Sequence, residues 1–377
     1  MGSENTLIIN GRELAFESGE TILQVAQRNG IEIPTLCYLK KASPTGACRI
    51  CVVEIEGSRA LSPACSMPAA SKMVVRTNSP NVLEARRMIL ALLLQSGHHN
   101  CAIGSGKDKE WTGLQLETES YDQSEELCPV HSMCKLQAYA YKYQVSTEGL
   151  VRREPKYPLE TVNPFILRDF SRCIMCGRCV QACNEVQVNL AISYGYRSGS
   201  SKIVAAGDRP LINSDCVFCG ECVQVCPVGA LIAKSNRFEA RPWEIKGIRT
   251  TCPYCGVGCQ MHLHVKDNRV YEITGVEDVG PNYGSLCVKG RFGYDFIHDP
   301  ERLKTPLIRE NGTYREASWD EALNHIAENL KKIIGESGPD AIGVLSSARI
   351  TNEENYVVQK FARAVIGTNN VDHCARL

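Results

Sequence analysis

Residues 173–183, Cys-Ile-Met-Cys-Gly-Arg-Cys-Val-Gln-Ala-Cys, and residues 216–227, Cys-Val-Phe-Cys-Gly-Glu-Cys-Val-Gln-Val-Cys-Pro, repeat one pattern, C-x2-C-x2-C-x3-C. This is the spacing of two [4Fe–4S] clusters in which the fourth cysteine of each run ligates the cluster of the other. Cys173, Cys176, Cys179 and Cys183 thus form one set of candidate ligands, and Cys216, Cys219, Cys222 and Cys226 the other. Zinc sites do not use two interleaved runs of four. Gly177 and Gly220 follow the second cysteine of each run, where a compact cluster loop needs a small residue. Asn184 stands after Cys183 where the second run has Pro227.

Working outward, nineteen of the 20 cysteines fall into five such groups. Cys37, Cys48, Cys51 and Cys65 are spaced C-x10-C-x2-C-x13-C. Four thiolates suit [2Fe–2S], [4Fe–4S] or zinc; the strand-rich surroundings and wide first gap favour [2Fe–2S]. Cys101, Cys128 and Cys134 are one ligand short, and a neutral imidazole can complete them. His99 is the first candidate, because i and i+2 share a side of an extended segment and align it with Cys101. His98 and His131 remain open; the histidine pair could instead cap the preceding helix, but the cysteine shortfall favours a ligand. Cys252, Cys255, Cys259 and Cys287 read C-x2-C-x3-C-x27-C, with Lys289 two residues on, placed either to bridge to a neighbouring cofactor or to lie in solvent. The expected complement is one [2Fe–2S] and four [4Fe–4S] clusters.

Lys+Arg and Asp+Glu are both 42, and the interspersed charges give no reason to expect nucleic acid. The longest apolar run, Met88 to Leu94, is too short for a membrane span. The start, Met1-Gly2-Ser3-Glu4-Asn5, carries no export pattern, and closely paired cysteines suit metal in a reducing compartment, so a cytoplasmic location is expected. Aromatic content is only 7%, which fits small modules held by metal as much as by apolar burial.

The fold class expected is α+β and multi-domain. Leu7–Ile9, a turn at Asn10-Gly11 and Leu14–Phe16 read as a hairpin, and Thr21–Asn29 as a short helix stopped by Gly30. Cys51–Ile55 and Met73–Val75 read as strands, and hairpin, helix and strands together resemble the β-grasp of plant-type ferredoxins, which implies a [2Fe–2S] domain over 1–80. A His/Cys3 cluster domain follows over 81–160, with helices at Val82–Gln95 and Lys135–Tyr143 and a polar loop at 102–127. A bacterial-type 2[4Fe–4S] ferredoxin domain occupies 161–240, after a linker marked by Pro155, Pro158 and Pro164. Residues 247–305 form a further [4Fe–4S] domain, with strands at Met261–Val265 and Val270–Thr274. Residues 306–377 read as the beginning of an α/β domain. Ser318-x-x-Glu321 caps a helix stopped at Gly335, Ala341–Leu345 is a strand, and Thr351-x-x-Glu354 caps a second helix ending near Gly367.

The first ~235 residues resemble the electron-input region of [FeFe]-hydrogenases, complex I large subunits and some formate dehydrogenases, on the motif evidence. The resemblance rests on Pro34-Thr35-Leu36-Cys37, Cys48-Arg49-Ile50-Cys51, the His/Cys3 group and the doubled runs. In that family the histidine often lies four residues before its cysteine, where this chain has Gly97. Thr251-Cys252-Pro253-Tyr254-Cys255-Gly256-Val257-Gly258-Cys259 and Cys287-Val288-Lys289-Gly290-Arg291 are similar to the [4Fe–4S] domain of molybdopterin oxidoreductases. That resemblance implies that Lys289 lies between a cluster and a pterin. Asn369-Asn370-Val371-Asp372-His373-Cys374-Ala375-Arg376-Leu377 resembles the formate dehydrogenase segment leading to the cysteine or selenocysteine that binds the metal.

The function implied is the iron–sulfur portion of a formate dehydrogenase interconverting formate and CO2. Its molybdenum or tungsten bis(pterin guanine dinucleotide) would be held by the full-length enzyme only, and no catalytic residue is expected in the present chain. The expectation is that the codon after Leu377 is a UGA meant for selenocysteine. Electrons would pass from the Cys252–Cys287 cluster through the ferredoxin pair and the His/Cys3 cluster to the [2Fe–2S] cluster. A flavin/NAD(P)-binding diaphorase-type or hydrogenase subunit would receive them. The alternatives are a stand-alone electron-transfer subunit of a hydrogenase or NADH-dehydrogenase-like complex, or a molybdopterin oxidoreductase acting on another substrate.

Overall fold

The hairpin at the start forms because Asn10 and Gly11 both accept positive φ (51° and 80°), the backbone a two-residue turn requires. It joins β1 (Thr6–Ile9) to β2 (Arg12–Ala15) in antiparallel register, Leu7 opposite Leu14. The computed structural model describes residues 5–97, 99, 128–151, 157–236 and 240–374. These divide into two compact units, Met1–Ile245 and Lys246–Leu377.

In the first unit, α1 (Ile22–Arg28) starts with Thr21 and Gln24 satisfying each other's backbone N–H groups, and it buries Ile22, Leu23, Val25 and Ala26. Such a cap contributes about 1 kcal/mol. Strands β3 (Val52–Ile55), β4 (Ser62–Pro63) and β5 (Val74–Arg76) complete a mixed sheet of order β2-β1-β5-β3-β4, with β5 parallel to β1. α2 (Pro80–Gln95) is capped by Ser79, whose Oγ accepts the Val82 N–H, and has proline at its first position. α3 (Lys135–Lys142) packs beside it. β6 (Ile166–Arg168) pairs with β9 (Leu231–Ala233), and α4 (Arg178–Gln181) and α5 (Glu221–Val225) each follow a cysteine loop. Between them lies the hairpin of β7 (Ile192–Gly195) and β8 (Lys202–Ala205).

One apolar core draws Leu36 and Ile50, Leu90 and Leu94, Leu136, and Val228 from segments far apart in sequence. Cys37, Cys134 and Cys176 belong to the same core, with Cys48, Cys173 and Cys226 packed against it.

The second unit has a three-stranded antiparallel sheet, β10 (Lys246–Thr251), β11 (Gln260–Lys266) and β12 (Arg269–Gly275), followed by α6 (Val288–Phe292). A hairpin of β13 (Leu307–Glu310) and β14 (Thr313–Glu316) leads to α7 (Trp319–Ser337). β15 (Val344–Ser346), α8 (Asn352–Phe361) and β16 (Val371–His373) end it, with β15 and β16 parallel.

Two expectations here need correction. α7 runs past Gly335 and stops at Gly338, whose φ of 82° breaks the helix; Gly335 has no positive φ to do so. Ser318 caps Glu321 N–H at 3.1 Å, but the Glu321 carboxylate turns to Arg315 at 2.5 Å instead of closing the box. The Thr351/Glu354 box is complete, and the helix it opens ends at Gly367 in the left-handed region.

Candidate metal centres

The doubled runs fold into two copies of one loop. Met175 and Phe218 both take positive φ (53° and 54°), as do Gly177 and Gly220 (76° and 71°). In each copy the backbone N–H of the residue two places on points at the first cysteine: Met175 N to Cys173 Sγ and Phe218 N to Cys216 Sγ, both 3.4 Å. Such N–H···S bonds tune a cluster's potential. A cavity is lined by Cys173, Cys176, Cys179, Cys222 and Cys226.

The electrostatics show which of these thiols are neighbours. Burial first, and the charge of Cys226 with it, raises Cys173 to about 11 and Cys176 to about 12. Cys179 lies well above its ordinary value, first through burial and then through Cys176, Cys173 and Cys226. Cys222 is raised by burial and then by Cys219, Cys216 and Cys183. Cys226 thus lies near the first run and Cys183 near the second, with Cys222 and Cys226 also near each other. Thiols buried this close together resist ionising unless a cation joins them, so the donor set fits iron–sulfur clusters. Among the described residues no three His, Cys, Asp or Glu side chains close on one point as a single metal ion needs; the four thiolates of a cube bind four different irons.

At the first site, Cys37 lies beside Cys48 and Cys51 beside Cys65. Cys37 is pulled down to about 5, mainly by the Cys48 thiol, and Cys65 to about 7, mainly by the Cys51 thiol. Their partners rise correspondingly. The Cys48 backbone N–H also points at Cys37 Sγ at 3.5 Å, and Gly46 (φ 61°) and Arg49 (φ 59°) bend the loop around them. In the second unit, Cys252, Cys255, Cys259 and Cys287 also come together. Cys259 is raised by burial and then by the charges of the other three. α6 lies directly beside this group: a Cβ at Gly290 would be in ordinary contact with Cys252 Sγ, at 3.5 Å. Lys289, on the same helix, is exposed.

The irregular group is described in part. Cys101 and His98 lie outside the described residues. Cys128 and Cys134 are both buried, and each other's neighbours. Burial raises Cys134 to about 12, with the charges of Cys128 and Cys226 adding to it. His99 is described and its ring lies against Gly97, which itself abuts the backbone of Ser171. His131 is buried at 2% exposure and bonds Gln137 through Nδ1 at 2.7 Å. Gln137 Oε1 accepts the Ser132 N–H at 2.8 Å, so its amide nitrogen faces His131 and Nδ1 must accept. A neutral imidazole accepting at Nδ1 carries its proton on Nε2 and has no lone pair there for iron.

Arg86 lies on α2, where the sequence by itself marks it only as a charged helical residue. It is 2% exposed, and its guanidinium donates to Ile50 O at 3.2 Å, Val52 O at 2.9 Å and Tyr143 Oη at 3.3 Å. It therefore ties the Cys48–Cys51 loop to α2 and α3. The available signal was a charge at the position between Leu83 and Leu90 on an otherwise apolar face.

Four protein families match consecutive segments. Residues 3–80 match a 2Fe-2S iron-sulfur cluster binding domain and 170–230 a 4Fe-4S dicluster domain. Residues 245–299 match the molybdopterin oxidoreductase Fe4S4 domain, and 302–377 molybdopterin oxidoreductase itself. The chain carries iron–sulfur and molybdopterin oxidoreductase domains. It is similar to an NADH-quinone oxidoreductase subunit of Rhizobium meliloti, 37% identical over 98% of this chain and 40% of that protein. It is also similar to "Putative formate dehydrogenase YrhE" of Bacillus subtilis, 32% identical over 98% of this chain and 39% of the relative. The iron–sulfur and molybdopterin oxidoreductase segments thus span about 40% of the length of these relatives. Among solved structures, a chain of an NAD+-reducing [NiFe]-hydrogenase in the H2-reduced state superposes with a TM-score of 0.53 and 28% identity, covering 63% of this chain and 91% of that one. No helix among the described residues is long and apolar enough to cross a membrane.

Proposed function

We propose that this chain is the electron-transfer part of a cytoplasmic molybdopterin-dependent formate dehydrogenase. The carrying observation is the single core shared by Cys37, Cys134 and Cys176, because clusters at these positions would be neighbours in one dry medium. The cysteines would hold one [2Fe–2S] cluster (Cys37, Cys48, Cys51, Cys65) and four [4Fe–4S] clusters. Those four would be ligated by Cys173/Cys176/Cys179/Cys226, by Cys183/Cys216/Cys219/Cys222, by Cys252/Cys255/Cys259/Cys287, and by His99 with Cys101, Cys128 and Cys134. His99 is preferred over His131 on the tautomer argument above.

The path differs in one respect from a linear wire. Burial and then the charges of Cys176, Cys179, Cys173 and Cys37 raise Tyr194 to about 12, so the charges of Cys37 and of the first-run cysteines are felt at one phenol. A branch from the Cys173/Cys226 cluster to both the [2Fe–2S] and the His/Cys3 clusters would suit the core that Cys37, Cys134 and Cys176 share. A molybdenum or tungsten bis(pterin) group would supply the two-electron chemistry on formate. This chain's part would be to carry single electrons away, with Lys289 facing that group. Formate as substrate is supported by the likeness to YrhE. Leu323 and Ile326 on α7, Val357 on α8 and Leu345 on β15 are exposed apolar side chains that a larger α/β domain would cover.

The hydrogenase chain supports a second reading, an electron-transfer subunit serving a flavin/NAD(P) or hydrogenase partner without substrate chemistry of its own. One experiment separates the two. In enzyme isolated anaerobically with its pterin-bearing part, formate should reduce the clusters, seen as new low-temperature EPR signals. Clusters that NAD(P)H and a diaphorase reduce, but formate does not, would favour the second reading and overturn formate dehydrogenase.

A further inference from the structure

Two buried guanidiniums converge on one cysteine. Arg172 and Arg241 are 7% and 4% exposed. Arg172 Nη1 donates to Cys128 Sγ at 3.6 Å, and Arg241 Nη1 donates to the Cys128 carbonyl at 2.9 Å. Two carboxylates face these arginines. Asp169 Oδ2 accepts from Arg172 Nε at 3.0 Å, while its Oδ1 caps the Ser171 N–H at 3.1 Å. Glu244 Oε2 accepts the backbone N–H of Arg241 at 2.8 Å. Of the two, Asp169 also bears on Cys128.

We propose that Arg172 and Arg241 set the reduction potential of the cluster held by Cys128, raising it so that this cluster fills first. Reduction adds one negative charge, and a buried cation stabilises the more negative state far better than water-screened charge does. A hydrogen bond to the ligand sulfur acts in the same direction, drawing electron density from the cluster. A neutral histidine in place of a fourth thiolate removes a further negative charge from the same cluster. The electron comes from the Cys173/Cys226 cluster: Cys226 is close enough to Cys134 for its charge to be felt there. The one-electron step is balanced between two clusters, one oxidised as the other is reduced. This branch would then act as a store, holding an electron while the [2Fe–2S] branch exchanges with a partner.

The inference rests on Cys128 being a cluster ligand, and the experiment tests that first. Cys128→Ala in the anaerobically loaded protein should remove about four irons and one EPR signal. Full iron with every signal retained would sink the assignment itself, whatever the arginines do. The signal identified in this way is then followed through a potentiometric titration. Arg172→Gln and Arg241→Gln should each lower its potential by about 59 mV, a tenfold change in the reduced-to-oxidised ratio for one electron, and leave the other signals in place. Asp169→Asn removes a negative charge and should move the same signal upward. If Arg172→Gln fails to load, Asp169→Asn and Arg241→Gln carry the test. A signal that stays put in these variants, or that moves the same way in all of them, overturns the proposal, since a merely structural role gives no opposed shifts.

Discussion

The backbone N–H of Ser43 donates to Glu185 Oε2 at 2.8 Å, although 142 positions separate the two residues. The Gln181 side chain returns a bond to the Ser43 carbonyl. Ser43 lies in the loop between Cys37 and Cys48, and Gln181 and Glu185 flank Cys183. A loop of the first candidate site is thereby clamped to the helix that carries the doubled run.

Breaking the clamp should cost more at Gln181, which is buried, than at Glu185, which is exposed. Gln181→Ala leaves a carbonyl without its donor and should destabilise the loaded protein by about 1–2 kcal/mol, and Glu185→Ala by about 1 kcal/mol or less. Urea unfolding followed by near-UV and cluster absorbance measures both. Equal, negligible effects would mean the loop is held elsewhere.

Ligand exchange between the runs has a direct readout. Cys226→Ala should remove the cluster shared with Cys173, Cys176 and Cys179 and spare the other, while Cys183→Ala should do the reverse. Each variant should lose about four irons per chain, and the two should lose different EPR signals. Loss of the same signal from both would contradict the sorting of thiols described above.

Gly177 meets two constraints at once: its φ is 76°, and a Cβ there would run into the Tyr194 hydroxyl. Gly177→Ala should therefore cost about 1–2 kcal/mol for the left-handed backbone alone, plus a clash. Adding Tyr194→Phe should recover part of the loss. A double variant as unstable as the single one would show that the hydroxyl is not the obstacle.

His264 is held below its ordinary value by burial first and then by the charge of His262, while its Nε2 bonds Thr274 Oγ1 at 2.8 Å. A base depressed in the folded state binds fewer protons there than in the unfolded chain. Its stabilising effect is complete above the unfolded value near 6.5 and is lost as pH falls through the lower folded value. Between pH 8 and pH 6 the unfolding midpoint of wild type should fall more than that of His264→Gln, measured by thermal scans at matched cluster content. Parallel curves would remove His264 from the account.

Cys374, the twentieth cysteine, is exposed, and its thiol is pulled down chiefly by the Ala348 backbone N–H and then by Ser347. Its alkylation by iodoacetamide in cluster-loaded protein should persist to lower pH than that of an ordinary thiol. Ser347→Ala should shift the profile back upward. An unshifted profile in both proteins would show that these contacts do not form.

Much of the local structure was legible. Asn10-Gly11, Thr21/Gln24 and Thr351/Glu354 each carry their instruction within a few residues, and the structure follows them. Where the reading slipped, a neighbour outside the window intervened. Arg315 drew Glu321 away from its box, and α7 continued through Gly335 to the residue that takes positive φ. The proximity of Cys226 to the first run and of Cys183 to the second agrees with the interleaving that the spacing predicts.

Spacing along the chain determined which thiols are candidate ligands, because a loop of two or three residues has few ways to present its thiols. Only the tertiary structure decided what surrounds those thiols. Arg86, Arg172 and Arg241 look like ordinary surface cations in the sequence, yet all three are buried against cluster loops. The tautomer of His131 depends on a glutamine oriented by the Ser132 N–H, and the neighbourhood of Cys37 and Cys176 on a core assembled from distant segments. Desolvation and charge act through space, so no pattern of neighbours along the chain records them.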